Sequence, residues 1–115
     1  MVGVPRRGEV YRVAFDPVLG SEQAGERPAL VVQNDVGNRF APTTIVVPLT
    51  RRQPSRPYPF LVGVTGVPGA NMSWIHCGQI RAVDKARLVG APIAVLDTQD
   101  MQQVDDALRA SLGMY

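Results

Sequence analysis

The chain is 115 residues long, 45% hydrophobic and 19% charged, the make-up of one folded domain over 1–115 and not of a disordered or low-complexity segment. No run of about 18 apolar residues is present and no apolar signal core opens the chain, so neither a membrane span nor a secretory leader is expected. A single cysteine, Cys77, excludes an internal disulfide framework and a multi-cysteine metal site, and fits a reducing, cytoplasmic setting. The net charge of +2 hides an asymmetry: residues 1–57 carry eight Arg against five acids (+3), and residues 58–115 carry four basic residues against five acids (−1). Three Arg crowd into RRQPSR at 51–56. Guanidinium forks suit phosphate, which makes the first half a candidate surface for a polyanion; a plain solvated loop is the blander reading.

Ten Pro and eleven Gly favour short strands joined by turns over a helix bundle. GEVYRVAF (8–15) alternates, with Tyr11, Val13 and Phe15 on one face, and predicts a half-buried strand. Residues 16–27 form a polar loop longer than a hairpin needs, the kind of segment that carries function. PALVVQN (28–34) predicts a central strand buried on both faces, and DVGNRFAP (35–42) a turn-rich connection. TTIVVPLT (43–50) is a β-branched strand whose Pro48 puts that end at an edge or bulge. A second polar loop (51–57), a strand at YPFLVGV (58–64) and a turn at 65–71 follow. MSWIHCGQIRAV (72–83) reads as one strand bent at Gly78, and DKARL (84–88) as a single helical turn. From Thr98 to Leu112, Met101, Val104, Leu108 and Leu112 fall at helical spacing, with Asp97 or Thr98 as N-cap, Asp100 in the first turn and Gly113 as the stop. Five or six short strands and one amphipathic helix predict a small, mainly β structure: a bent antiparallel sheet or partly open barrel, with the helix over one open side.

The chemistry-bearing patterns are mostly negative. No phosphate-binding P-loop, dinucleotide fingerprint, His-Glu-x-x-His or Cys-x-x-Cys occurs, so no metal or other cofactor is expected. The only His, His76, adjoins Cys77; neighbours on a strand point to opposite faces, which argues against a Cys–His nucleophile. His76 shares a face with Met72 and Trp74, read as a packing face. Polar residues at strand ends remain: Arg27 at the close of the first loop, Gln33 and Asn34 after the second strand, and Thr50 at the end of the third. If the second and third strands are antiparallel neighbours, Arg27 and Thr50 are expected at opposite ends, so a folded-back loop or a bent sheet would have to bring them together.

RGEVYRVAFDP, LGSEQAGERPALVVQNDVGNRFAPTTIVVPLT, QIRAVDKARL and VDDALRASLGM closely resemble the MazF/PemK family of bacterial toxins. The resemblance runs from Arg7 to Gly113 and is weakest across 51–73. It implies an SH3-like barrel with a C-terminal helix, a homodimer, and a ribosome-independent endoribonuclease that cuts single-stranded RNA. It also implies a cognate acidic antitoxin protein that fills the RNA groove. Position by position, the family's catalytic Arg falls on Arg27 and its catalytic Thr on Thr50. The loop over RNA falls on about 16–26, with Ser21 and Gln23 as RNA contacts. Asn34, Gln79 and Arg81 fall on its further polar positions and are expected as RNA contacts too. Arg51 and Arg52 are candidates to steer phosphates. Where the family commonly has an acid before its Gln-Ile-Arg element, this chain has Gly78.

Without the resemblance, Arg27 reads as a loop ion pair, Thr50 as an ordinary strand-end residue, and Asn34 and Gln79 as amides satisfying backbone groups. With it, the expected reaction is attack of the ribose 2′-OH on phosphorus, leaving a 2′,3′-cyclic phosphate and a 5′-OH. Arg27 would stabilise charge on the non-bridging oxygens and Thr50 would donate its hydroxyl; both are poor bases. Two other classes stay open: a toxin on the same barrel that binds DNA gyrase and cuts nothing, and a non-catalytic RNA-binding regulator.

Overall fold

Alternation and β-branching place the strands. The computed structural model describes residues 3–15 and 25–115. Its strands are β1 (Glu9–Ala14), β2 (Glu26–Val31), β3 (Thr43–Thr50), β4 (Leu61–Val64), β5 (Ser73–His76), β6 (Arg81–Asp84) and β7 (Leu88–Val95). Helix α1 (Asp35–Phe40) joins β2 to β3, a 3-10 turn (Lys85–Arg87) precedes β7, and helix α2 (Thr98–Leu112) comes last.

Every pairing is antiparallel, in the order β4-β5-β3-β2-β1-β7, with β6 also on β3. The architecture is the expected mainly β sheet with a C-terminal helix, but it stays open: no pairing joins β4 to β7 among the described residues. β3 is the pivot. Its first half pairs with β6 up to Val46↔Arg81 and its last residues with β5 from Leu49↔Ile75. Ile45 accepts from the Val32 N–H at 2.9 Å, so alternation turns the Pro48 nitrogen away from β2 into the gap between β6 and β5. A residue with no N–H fits there at no hydrogen-bond cost, and that is the irregularity its presence signalled.

Apolar side chains bury on both faces. Val10, Leu30, Val47, Leu49 and Ile75 pack with Val104 and Ala107 of α2; Tyr11, Val13, Ala29, Val31, Val46 and Val83 pack on the other side. The run Ala29–Val31 is fully buried, as a strand covered on both faces should be. Helix α2 starts where expected: the Asp97 side chain accepts from the Asp100 N–H at 2.7 Å, and Gly113 ends it in the left-handed conformation at φ 70°. Leu112, expected in the buried stripe, is instead 60% exposed in the last turn. No helix among the described residues is long and apolar enough to cross a membrane.

Two expectations need correction, and one strand was not anticipated. Residues 35–40 form a helix because Asn34 caps it: its Oδ1 accepts from the Gly37 N–H at 2.8 Å, and Ala41 closes the turn on the Gly37 carbonyl at 2.8 Å. The stretch 72–83 is two strands, separated by a corner where Gln79 N–H donates to the His76 carbonyl at 3.1 Å; both strands return to β3. And 88–95 is a strand, β7, despite Gly90 and Pro92. Residues 90–93 bulge out opposite Tyr11 alone, with Gly90 at φ 69°, before the pairing with β1 resumes.

Candidate active site

The expected obstacle to bringing Arg27 and Thr50 together does not exist. In an antiparallel pair the start of one strand lies beside the end of the next. The register sets Ala29 against Pro48, Leu30 against Val47 and Val31 against Val46. Continued by two residues, it sets Arg27 opposite Thr50. Directly opposed residues point to the same side of the sheet. No folded-back loop is needed: the pairing itself is the reason the two side chains line one cleft of about 460 Å³.

Cations dominate that cleft. Among the described residues, Arg12, Arg27, Arg51 and Arg52 line it with a single carboxylate, Glu26, and all five are exposed. Thr50 is half-buried, and its Oγ1 accepts from the Arg52 N–H at 3.1 Å. That bond uses an oxygen lone pair and leaves the hydroxyl hydrogen free to donate. Arg51 donates from Nη1 to the Gly69 carbonyl at 3.1 Å, tying the 51–57 loop to the turn that forms the opposite wall.

The other expected residues divide. Ser21 and Gln23 lie outside the described residues. Asn34 is exposed and occupied in capping α1. Gln79 is exposed in the β5–β6 corner, and Arg81 sits on β6 with its guanidinium 4.9 Å over the Phe15 ring. None of these three lines the Arg27–Thr50 cleft. Two residues that do were not anticipated: Arg12 and Ser73. Arg12 carried a usable signal, since it is the one exposed polar residue inside an otherwise apolar strand. The buried Ser73 carried none.

The packing-face reading of His76 also changes. Ser73, Ile75 and Cys77 are the buried set, whereas Met72, Trp74 and His76 face outward and are half-buried or exposed. Trp74 and His76 line a second cleft that shares Thr50 and Arg52 with the first.

Two groups titrate far from their ordinary range, both away from the cleft. Burial pushes the Cys77 thiol up to about 12, with the charge of Asp105 adding to it, so the thiol is inert as a nucleophile. Burial likewise raises Tyr11 to about 12, helped by Glu9, which accepts its hydroxyl at 3.2 Å. Among the described residues no three His, Cys, Asp or Glu gather into a group that could hold a metal ion.

The family model for PemK-like, MazF-like toxins of type II toxin-antitoxin systems matches residues 6–112. Endoribonuclease EndoA of Bacillus subtilis (strain 168) is 42% identical over 113 residues, spanning 96% of this chain and 97% of that one. Among solved structures, MazF from Deinococcus radiodurans superposes with a TM-score of 0.78 at 28% identity, covering 97% of this chain and 99% of that one. An endoribonuclease in complex with its cognate antitoxin, from a mycobacterial species, gives 0.77 at 26% identity, covering 96% and 97%.

Proposed function

The chain belongs to the PemK-like, MazF-like toxins of type II toxin-antitoxin systems and is an endoribonuclease, and from that premise we propose that it cuts single-stranded RNA at the Arg27–Thr50 cleft without a metal ion. The observation that supports this site is the shared cleft itself, with an arginine and a free hydroxyl donor on one side of a β-pair. The ribose 2′-OH attacks the adjacent phosphorus, the bond to the 5′ oxygen breaks, and the products end in a 2′,3′-cyclic phosphate and a 5′-OH. Negative charge gathers on the non-bridging oxygens. A guanidinium aimed there stabilises charge that exists only at the transition state, the kind of donor whose removal costs about 100- to 1,000-fold. Thr50 donates to a phosphate oxygen, with its oxygen held by the Arg52 N–H. The remaining arginines hold the flanking phosphates and place the 2′-OH in line.

Single-stranded RNA fits because sequence is read on unstacked bases. The working form is a homodimer: Val36, Phe40, Val95 and Leu112 are each more than half exposed, an apolar surplus that a second copy would cover. The inhibitory partner is an acidic antitoxin protein competing for the same arginines, and the compartment is the cytoplasm.

The test is a labelled single-stranded RNA pool incubated with the purified protein in excess chelator. Cleavage to 5′-OH ends, about 100- to 1,000-fold slower in Arg27→Ala, is the expected result. Uncut RNA, or ends bearing 5′-phosphate, would refute it, and intact RNA together with blocked DNA supercoiling would move the chain to the gyrase-binding class.

A further inference from the structure

The second cleft adjoins the first, and its residues suit a different part of a nucleotide. It has a volume of about 710 Å³ and shares Thr50 and Arg52 with the cleavage cleft. Its wall is aromatic. Tyr58 and Phe60 stack with ring centroids 5.0 Å apart and planes 15° from parallel, and Phe60 meets the His76 ring at 5.2 Å. Tyr58 is 41% exposed, so the stack ends on an open flat face. Gln53 and Ser55 add an amide and a hydroxyl, and no carboxylate is among the described residues that line the cleft.

The His76 ring is held in place. Its Nδ1 accepts from the Gly78 N–H at 3.3 Å. Gly78 is also the residue that leaves room for this arrangement. A Cβ there would come within 3.1 Å of the His76 ring and 3.3 Å of Phe60. The absence of a side chain at Gly78 is therefore coupled to the aromatic wall.

We propose that the Tyr58–Phe60–His76 wall is a stacking subsite for one unpaired nucleobase next to the scissile phosphate, kept open by the absence of a side chain at Gly78. The proposal rests on the reading of the adjoining cleft as the cleavage site. A base is the fitting occupant for three reasons: aromatic faces accept any base by stacking, the phosphate-binding arginine Arg52 stands at the shared rim, and a strand with its phosphate between Arg27 and Thr50 continues directly into this cleft.

The experiment is a double-mutant cycle on the mapped cleavage sequence. Wild type and Tyr58→Ala are each assayed on the natural oligonucleotide and on oligonucleotides with one abasic residue placed in turn on either side of the cut. Tyr58→Ala alone should lower kcat/KM by about 5- to 100-fold. One abasic position should cost wild type a similar factor and the variant almost nothing, because the two changes remove the same contact. Gly78→Glu, folded by circular dichroism, should reproduce the loss at that position. Additive effects at every position overturn the subsite while leaving the cleavage reading intact. If additivity is accompanied by lost inhibition by the acidic partner protein, the rings belong to that partner's footprint. If wild type cuts no RNA, the cleavage reading fails first, and quenching of 2-aminopurine in a bound oligonucleotide, lost in Tyr58→Ala, decides the subsite alone.

Discussion

Two polar regions of this molecule look alike in sequence and differ in what their side chains are free to do. The connection at 33–44 closes on itself. Asn38 is fully buried, accepts from the Thr44 hydroxyl at 2.6 Å and from Gln33 Nε2 at 3.1 Å, and donates to the Gln33 carbonyl at 2.9 Å and to Asp35 at 3.2 Å. Gln33 Nε2 also reaches the Thr43 carbonyl at 2.9 Å, and Asn34 is spent as a cap. The cleft between Arg27 and Thr50 is the reverse: exposed cations and a hydroxyl whose hydrogen meets no acceptor among the described residues. A buried network must be complete to be tolerated, because each unpaired group costs its full desolvation. A site must be incomplete, because the ligand supplies the missing partner. The long Gln-Asn-Asp…Gly-Asn-Arg-Phe motif is therefore mostly architecture, whereas the shorter Arg-Pro and Leu-Thr elements leave their polar side chains open to a ligand.

The sharpest way to break this contrast is Arg27→Ala. Cleavage should fall by about 100- to 1,000-fold while the thermal midpoint hardly moves, since the side chain is exposed. A variant that keeps full activity removes Arg27 from the mechanism. Thr50→Val should follow with a smaller loss, the donor being neutral, measured under single-turnover conditions so that product release does not mask it.

On the architectural side the pattern should invert. Asn38→Ala strands Thr44 and Gln33 without their buried acceptor. About 1–3 kcal/mol of stability should be lost in urea unfolding, with activity per folded molecule unchanged. A drop in kcat without a drop in stability would mean that the network reaches the site. Arg51→Ala and Arg52→Ala probe the border. Each should weaken RNA binding moderately and lower the slope of log affinity against log salt by about 1, and an unchanged slope would make that arginine a loop tie only.

The smallest expected effect lies at Asp35. The Arg7 backbone N–H, donated at 2.8 Å, holds its carboxyl below the usual carboxylate range, helped by Asn38. The folded value is lower than the unfolded value of about 3.9, so Asp35 stabilises the fold above that pH, and the benefit disappears as pH falls through the folded value. Asp35→Asn should flatten the acid limb of the stability profile and leave neutral-pH cleavage alone.

Strands β1 and β3 and helix α2 were legible because local patterns govern them: alternation, β-branching, a capping Asp and a terminal Gly. The helix at 35–40 was not, because Gly37 and the following Pro42 read as a turn. Only the cap at Asn34 and the polar network behind it make six residues helical. Strand β7 was not, because a bulge around Gly90 interrupts the alternation that would reveal it. Along 72–77 the alternation was visible but its direction was not. Whether Ser73, Ile75 and Cys77 or Trp74 and His76 face inward depends on which side of the sheet α2 covers.

From the order of residues alone came the family, the mainly β class and the C-terminal helix, since these rest on short-range pattern and motif. The meeting of Arg27 with Thr50, the arrival of Arg12 beside them and the aromatic wall across from Gly78 were settled by strand pairing. Register couples positions more than twenty residues apart through backbone hydrogen bonds, and no local feature of either segment encodes its partner.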